Sequence, residues 1–290
     1  MPEGIFGSIK YNGLVFAGMH WLKLISLAFL PLVLFAFAPD QSTGDSKSAG
    51  PKKGDIKRWV AAQSVMGRSI YAYSMGNGPR KILLLGGKHG DEINSVRTVY
   101  YIMNRLYQER QKLPRNITVF FVPLLNPDGF VYMSRVNANG TDINRNFPTK
   151  NWRQRSQVSG YSLPNGGGAE PKSEPETRFL IDFLLKHRPV LSLTYHSRAG
   201  YIYPEVKDPF SVRLAKRYSK ASGIKAMIVS WSQNYYTVTG SFGQWMDKQK
   251  GMHTILIEHK KKYHISDMEL EANWRGFWSM VRHLSKKAKP

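Results

Sequence analysis

The sequence predicts an α/β protein with a mixed, largely parallel central sheet and helices on both faces. Two observations carry this prediction. Short apolar runs of strand length alternate along the chain with longer helical segments, which is the order expected when helices connect parallel strands. Several apolar runs then end directly in glycine or in polar residues, as buried strands do where they lead into a functional loop.

Each element follows from its local pattern. Residues 58–74 alternate between apolar and polar positions and turn at Gly67, which predicts a β-hairpin. Apolar runs predict strands at 81–85, 117–122, 190–196, 224–229 and 253–258. Helices are predicted at 93–110, 173–187, 208–222, 241–249 and 267–286. The stretch between 123 and 171 is rich in turn residues, and a loop this long in a compact domain usually carries function.

Composition limits the classes of protein that this chain can belong to. It has 290 residues, of which 42% are hydrophobic, and it contains no cysteine. This apolar fraction is enough for a folded core, so intrinsic disorder is excluded as the main state. The lack of cysteine excludes a disulfide scaffold and cysteine-based metal or catalytic sites. Any metal must therefore bind to histidine, aspartate or glutamate.

The N-terminal region predicts an exported protein, located in the periplasm or cell envelope. An apolar stretch follows Lys23 and closes in Ala36-Phe37-Ala38, the small-x-small pattern of a signal peptidase site. Residues 1–38 are therefore interpreted as a signal peptide or, if they are retained, as an N-terminal anchor. A flexible linker rich in Ser, Gly and Lys is expected at 39–55. One folded domain at 56–286 and a basic tail at 287–290 complete the predicted organisation.

Polar side chains lie at the ends of three predicted strands. His89 and Glu92 follow the first, His196 ends the second and Glu258 ends the third. Open α/β sheets bind their ligands at the carboxyl ends of the strands, so these side chains are expected to converge. Two imidazoles and one carboxylate suit a catalytic zinc, which keeps a fourth position open for water. Each residue alone is common in loops and cores; the prediction depends on the whole set.

The order of motifs resembles the M14 zinc carboxypeptidases. The motifs are His89-x-x-Glu92, Asn126-Pro127-Asp128-Gly129, Asn144-Arg145-Asn146-Phe147, His196 and Glu258. Within that family the segments NPDG, RVNANGTDINRNFP, SEPETR and TGSFGQW are most similar to the bacterial murein peptide amidase branch. The resemblance implies a zinc carboxypeptidase-like fold and a zinc peptidase domain at 56–286.

The resemblance also implies which residues carry the chemistry. His89, Glu92 and His196 would hold one Zn²⁺ per chain. Glu258 would be the general base that activates water and passes the proton to the leaving amine. Arg135 would polarise the scissile carbonyl and stabilise its oxyanion.

A second group of residues would recognise the substrate. By the same resemblance, Asn144 and Arg145 would bind the free carboxylate of the residue that is released, and Tyr236 would close over it. Gly243 falls where digestive members place a residue that selects the released side chain, and glycine leaves that pocket open. Arg198 could meet the additional carboxylate of a γ-linked D-glutamate, or it is an ordinary surface arginine.

Three functions remain open from the sequence. The first is hydrolysis of the γ-D-glutamyl–diamino acid bond in peptidoglycan stem peptides. The second is a general carboxypeptidase acting on peptides with a free C-terminal carboxylate. The third is a non-catalytic basic protein that binds an anionic polymer of the cell envelope, since the net charge is +22. Nucleic acid is not expected as a partner, because basic and aromatic residues are not arranged as a known nucleic-acid module.

Overall fold

The computed structural model describes residues 56–158, 161–205, 207–229 and 237–286. Within these residues the strands are β1 (Lys57–Gln63), β2 (Ser69–Met75), β3 (Arg80–Leu85), β4 (Ile117–Val122), β5 (Ser156–Val158), β6 (Tyr161–Leu163), β7 (Leu191–Ser197), β8 (Ile202–Pro204) and β9 (His253–His259). The α-helices are α1 (Ile93–Gln108), α2 (Pro127–Val131), α3 (Pro175–His187), α4 (Pro209–Ser222), α5 (Phe242–Met246) and α6 (Asp267–Ser285).

The main sheet has seven strands in the order β1-β2-β4-β3-β7-β9-β8. The four central strands, β4, β3, β7 and β9, are parallel, whereas β1, β2 and β8 pair antiparallel at the two sides. All residues of β4 and β7 are buried, as expected for parallel strands that are covered on both faces. The sheet is therefore mixed and largely parallel, as the sequence predicts.

Helices cover both faces of this sheet. Leu83 and Leu85 point to one face, where they belong to a core that includes residues of α3 and α5. On the other face α4 packs against α6, and α1 packs against α6 and β7. The contact between α4 and α6 is close: a Cβ on Gly276 would lie 2.3 Å from the Tyr218 ring. Glycine therefore lets these two helices approach at that point.

Most predicted elements are present, and one strand is not. The hairpin, the strands at 81–85, 117–122, 190–196 and 253–258 and the main helices are confirmed. The strand predicted at 224–229 is wrong, since this segment makes only an isolated bridge between Ala226 and Ile202. The segment lies along β8, where only Ile202 exchanges backbone hydrogen bonds with Lys225 and Met227, and a three-residue strand offers no longer ladder. The short strands β5, β6 and β8 were not predicted from the sequence.

The topology determines where a site can form. Because β3, β7 and β9 run in the same direction, the loops that follow them meet at one edge of the sheet. The predicted leader, linker and basic tail lie outside the described residues. Among the described helices, none combines the length and the apolar character that crossing a bilayer requires.

Candidate metal centre and active site

The end of β7 and the end of β9 place two of the predicted residues side by side. His196 and Glu258 are direct partners in the parallel register of these strands. Glu92 is the residue that precedes α1, in the loop that follows β3. Its carboxylate crosses to β7, where Oε2 accepts a hydrogen bond from the backbone N–H of Ser197 at 3.1 Å. The loop after β3 and the ends of two strands therefore share one site.

Three potential metal ligands converge at this edge. Nδ1 of His89 lies 2.8 Å from Oε1 of Glu92, and Nδ1 of His196 lies 2.9 Å from Oε2 of the same carboxylate. The two Nδ1 atoms are 3.1 Å apart. The ligand atoms of all three residues lie within 4.8 Å of one another, and all three side chains are buried. The residues predicted as zinc ligands are therefore brought together.

The chemistry of this set fits a zinc ion. Nε2 of His89 lies 3.0 Å from Oδ1 of Asp142, the carboxylate–histidine arrangement that orients a ligating imidazole. Burial lowers the pKa of His196 to about 3, so its imidazole is neutral, the form that binds metal. Although burial opposes its ionisation, the neighbouring imidazoles hold the pKa of Glu92 well below its usual range. Neutral nitrogen and ionised oxygen ligands are what Zn²⁺ requires.

Glu258 is a buried carboxyl beside this centre. Burial, followed by repulsion from Glu92, raises the pKa of Glu258 to about 8. Its Oε2 accepts one long hydrogen bond, 3.4 Å, from the backbone N–H of Ala199. A carboxyl with a raised pKa that is only weakly held can accept and release a proton near neutral pH, as a general base must.

Arg135 lies between two carboxylates of the site. Its Nε donates to Oδ2 of Asp142 at 2.9 Å, and its Nη1 lies 3.7 Å from Oε1 of Glu92. The cation thereby stabilises the ionised form of Asp142, whose pKa lies well below its usual range despite burial. The guanidinium is partly exposed, so it can also approach a substrate carbonyl at the metal centre.

Asn144 and Arg145 lie on a 3-10 turn that follows Asp142. Oδ1 of Asn144 accepts hydrogen bonds from the backbone N–H of Phe242 at 3.0 Å and from Nζ of Lys88 at 3.4 Å. Both contacts are made by the oxygen, so within the described part of the chain the amide nitrogen can donate to a ligand. Arg145 is buried and donates from Nη1 to the carbonyl of Asn144 at 2.7 Å.

Lys88 and Asp142 are two further residues of the site, and the sequence assigned no role to either. Burial lowers the pKa of Lys88 to about 7. Its ammonium lies 4.4 Å from the centroid of the Phe242 ring and holds the side chain of Asn144. A lysine directly before a candidate ligand histidine, after a buried strand, is the sequence signal that could have identified it.

The Asn126-Gly129 motif supports the ligand loop. The side chain of Asn126 accepts a hydrogen bond from Gly129 N–H at 2.8 Å and donates to the carbonyl of Lys88 at 3.4 Å. A Cβ on Gly90 would lie 1.9 Å from the carbonyl carbon of Gly129. Gly90 and Gly129 therefore allow the two loops to cross at this point. The motif supports the loop that carries His89 and does not itself supply a metal ligand.

The remaining predicted residues are placed differently. Gly243 lies on α5 directly after Phe242, which contacts Asn144. Arg198 is exposed, two residues beyond His196. Tyr236 lies outside the described residues, so its proposed closure over a substrate stays a prediction.

Comparison with known proteins agrees with this arrangement. The Peptidase_M14 family, described as zinc carboxypeptidase, matches residues 52–289. Murein peptide amidase A of Escherichia coli (strain K12) is 32% identical over 183 residues, which cover 61% of this chain and 69% of that protein. The human carboxypeptidase N catalytic chain is 25% identical over 285 residues, which cover 77% of this chain and 62% of that protein.

A solved structure supports the fold. The crystal structure of murein-tripeptide amidase from Escherichia coli O157 superposes with a TM-score of 0.59 at 25% sequence identity. The similarity covers 80% of this chain and 93% of that chain.

Proposed function

The chain belongs to the zinc carboxypeptidase family Peptidase_M14 and is thus a zinc metallopeptidase; from this premise we propose that it cleaves the γ-D-glutamyl–diamino acid bond of peptidoglycan stem peptides. The observation that carries the proposal is the combination of the buried His89–Glu92–His196 set with the adjacent Asn144–Arg145 turn. Similarity to murein peptide amidase A, at 32% identity, supports murein peptides as the substrate class.

Each residue of the metal centre has a distinct part in hydrolysis. Zinc, when held by His89, Glu92 and His196, supplies Lewis-acid activation of water and of the carbonyl. Glu258 takes a proton from the attacking water and delivers it to the nitrogen of the leaving amine. Its raised pKa lets the carboxyl hold that proton between the two transfers.

The carbonyl and the chain end are bound by separate groups. Arg135, already oriented by Asp142, stabilises the negative charge that develops on the carbonyl oxygen. Arg145 binds the free carboxylate of the released residue with the planar donors of its guanidinium. The amide nitrogen of Asn144 donates to the same carboxylate. Recognition of a free carboxylate restricts cleavage to the bond next to a chain end.

A digest of defined peptides tests the proposal. The purified protein is incubated with a γ-D-glutamyl–diamino acid tripeptide, with ordinary L-peptides and with C-terminally amidated versions of both, and the products are identified by mass spectrometry. We expect loss of the diamino acid from the γ-linked peptide only, no cleavage of amidated peptides and loss of activity after chelation that zinc restores. Cleavage of L-peptides with the γ-linked peptide left intact would refute the proposed substrate.

A general carboxypeptidase is the second candidate function. The specific observation in its favour is the similarity to the carboxypeptidase N catalytic chain, which extends over 77% of this chain. The same digest separates the two candidates, because a general carboxypeptidase removes C-terminal residues from L-peptides. The non-catalytic alternative from the sequence is set aside, since the chain is a zinc metallopeptidase.

We further propose that the protein is exported and associates with anionic polymers of the cell envelope. The apolar leader supports export, and the net charge of +22 supports the association. Arg213 and Arg217 on α4 and Arg282 on α6 are exposed basic side chains on packed helices. Burial lowers the pKa of His283, and Arg217 and Arg213 lower it further, as expected on an electropositive surface.

Retention on an anionic polymer tests this association. Replacing Arg213, Arg217 and Arg282 by glutamine is expected to shift elution from an anionic resin to lower salt without changing peptide hydrolysis. Unchanged salt dependence of elution would contradict a role for this surface.

A further inference from the structure

A lysine side chain lies over the loop that follows β7. A Cβ on Gly200 would lie 2.9 Å from Cγ and 3.8 Å from Cε of Lys260, so the lysine stem covers this glycine. The residue before the glycine, Ala199, donates its backbone N–H to Oε2 of Glu258 at 3.4 Å. The stem of Lys260 therefore passes one residue away from the group that contacts the proposed general base.

The loop that carries Lys260 is held at the start of α1. The backbone N–H of Asn94 donates to the carbonyl of Lys262 at 2.9 Å, and Nδ2 of Asn94 donates to the carbonyl of Lys261 at 2.6 Å. The side chain of Lys262 pairs with Asp91. These contacts fix the backbone of the loop, whereas the side chains of Lys260 and Lys261 are exposed.

Lys260 is a cation with no internal counter-charge. In the part of the chain that the structure describes, no acid forms an ion pair with its ammonium, in contrast to Lys262. Arg198, two residues before Gly200, is exposed on the loop that Lys260 covers. Two cations thus border the metal centre on this side, so the rim attracts an anionic group.

The metal centre lies between this loop and the turn that is proposed to bind the chain end. Asn144 of that turn contacts Phe242 of α5, which belongs to the face of the sheet that α3 and α5 cover. The loop after β9 connects to α6 and contacts α1, which cover the other face. A substrate whose released residue binds at the Asn144–Arg145 turn therefore extends its retained part over the metal centre toward Lys260.

The retained residue of the proposed substrate carries an anionic group at a suitable distance. In a γ-linked D-glutamate, the α-carboxylate lies four bonds, or about 5 Å, from the scissile carbonyl carbon. Lys260 is two residues beyond Glu258, which is about 7 Å at the spacing of a strand. Its long side chain lies along the loop beside the metal centre. The ammonium can therefore pair with that carboxylate.

We propose that Lys260 is a specificity-determining residue that binds the α-carboxylate of the D-glutamyl residue on the retained side of the scissile bond. This inference rests on the proposed function and deepens it, because it separates two forms of the stem peptide. Peptides with a free α-carboxylate gain an ion pair with Lys260. Peptides in which that group is a carboxamide, as in D-isoglutamine, gain none and are cleaved less efficiently.

The test compares two peptides that differ in one charge. N-Acetyl-L-alanyl-γ-D-glutamyl-L-lysine is compared with the same peptide carrying D-isoglutamine in place of D-glutamate. Wild-type protein is expected to cleave the carboxylate form with a kcat/KM about 3- to 10-fold higher, mainly through KM, because one charged contact is gained. The preference is expected to shrink at high salt, because the ion pair is exposed.

Three variants show which cation is responsible. Lys260→Gln is expected to cleave both peptides with equal kcat/KM, whereas Lys260→Arg keeps the cation and is expected to keep the preference. Lys216→Gln removes an exposed cation on α4 and is the matched control, expected to behave as the wild type. Bound zinc and the midpoint of thermal unfolding are expected to stay unchanged in all three, because both lysines are exposed.

Two results would overturn the inference. The first is an equal kcat/KM for the two peptides in the wild type. The second is an unchanged preference in Lys260→Gln. Arg198→Gln is measured with the same peptides, and loss of the preference in this variant alone would assign the contact to Arg198 in place of Lys260.

Failure of the proposed function gives a different result. If wild-type protein cleaves only α-linked L-peptides, the peptidoglycan proposal fails. The comparison is then made between glutamate and glutamine as the residue before the scissile bond. The side-chain carboxylate of an α-linked glutamate is also four bonds from the scissile carbonyl carbon, about 5 Å, so this comparison tests Lys260 alone.

Discussion

The metal centre and the Glu205 pocket, a cavity of about 210 Å³ lined in part by Glu205, Asp208 and Asp247, hold carboxylates in opposite ways. At the metal centre, His89 and His196 face Glu92 and lower its pKa, although the side chain is buried. In the pocket, burial raises the pKa of Glu205 to about 7, and repulsion from Asp247 and Asp208 adds to the shift. The same side-chain type is therefore held ionised in one region and driven toward neutrality in the other. Hydrogen bonds from the imidazoles favour the ionised form of Glu92, whereas burial beside other acids favours the neutral form of Glu205.

A large effect is expected from removing the guanidinium of Arg135, which lies beside the metal ligands. Arg135→Gln is expected to reduce kcat by about 10²- to 10³-fold, because a donor to the developing oxyanion is lost. Zinc content, measured by atomic emission, is expected to stay at one per chain. Arg97→Gln, at an exposed position on α1, is the control. A reduction of kcat by less than tenfold would show that Arg135 only stabilises the ionised forms of Asp142 and Glu92.

A smaller effect is expected from the acid that orients His89. Asp142→Asn keeps the shape of the side chain but weakens the contact with Nε2 of His89. Zinc affinity, measured by competition with a chelator, is expected to fall by about 10- to 100-fold. Unaltered affinity would mean that the ligand set is held by its own loop, without help from the 3-10 turn.

The smallest expected effect is that Glu205→Gln becomes more stable than the wild type as the pH rises. Below pH 4.5 the carboxyl is protonated in both the folded and the unfolded chain, so it contributes nothing. As the pH rises toward and beyond 7, the unfolded chain ionises freely, whereas ionisation in the folded chain is opposed by burial, Asp247 and Asp208. Wild-type protein therefore loses stability relative to Glu205→Gln across this range.

Denaturant unfolding at several pH values measures this difference. Glu205→Gln is expected to be more stable than wild type by about 1–2 kcal/mol at pH 8 and equally stable at pH 4.5, allowing for the partial exposure of the side chain. A difference in the free energy of unfolding that does not change with pH would show that the pKa of Glu205 is not raised in the folded protein.

Two residues of the site could be predicted from the sequence because they lie at the ends of buried strands. His196 and Glu258 end apolar runs that are long enough to identify as buried strands, and these runs become direct neighbours in the sheet. The Glu205 pocket was not predictable, since β8 has only three residues and carries no periodic pattern. The strand predicted at 224–229 is wrong for a related reason: the segment lies beside the three-residue β8, which offers it a single bridge.

The position of Lys88 before His89 is visible in the sequence, but the contact partners of Lys88 and Asp142 are not. Both act through contacts with residues that lie more than 50 positions away, Asn144 and His89 respectively. Local pattern contains no information on such pairs. Only the convergence of loops at the edge of the sheet creates them.

Measuring bound zinc and peptide hydrolysis together in Glu258→Gln is the most direct test of the account. Glutamine keeps the size of the side chain but cannot take the proton from water. We predict one zinc per chain, as in wild type, with kcat reduced by about 10²- to 10⁴-fold. Near wild-type turnover in this variant, or wild-type protein that hydrolyses peptides without bound zinc, would contradict it.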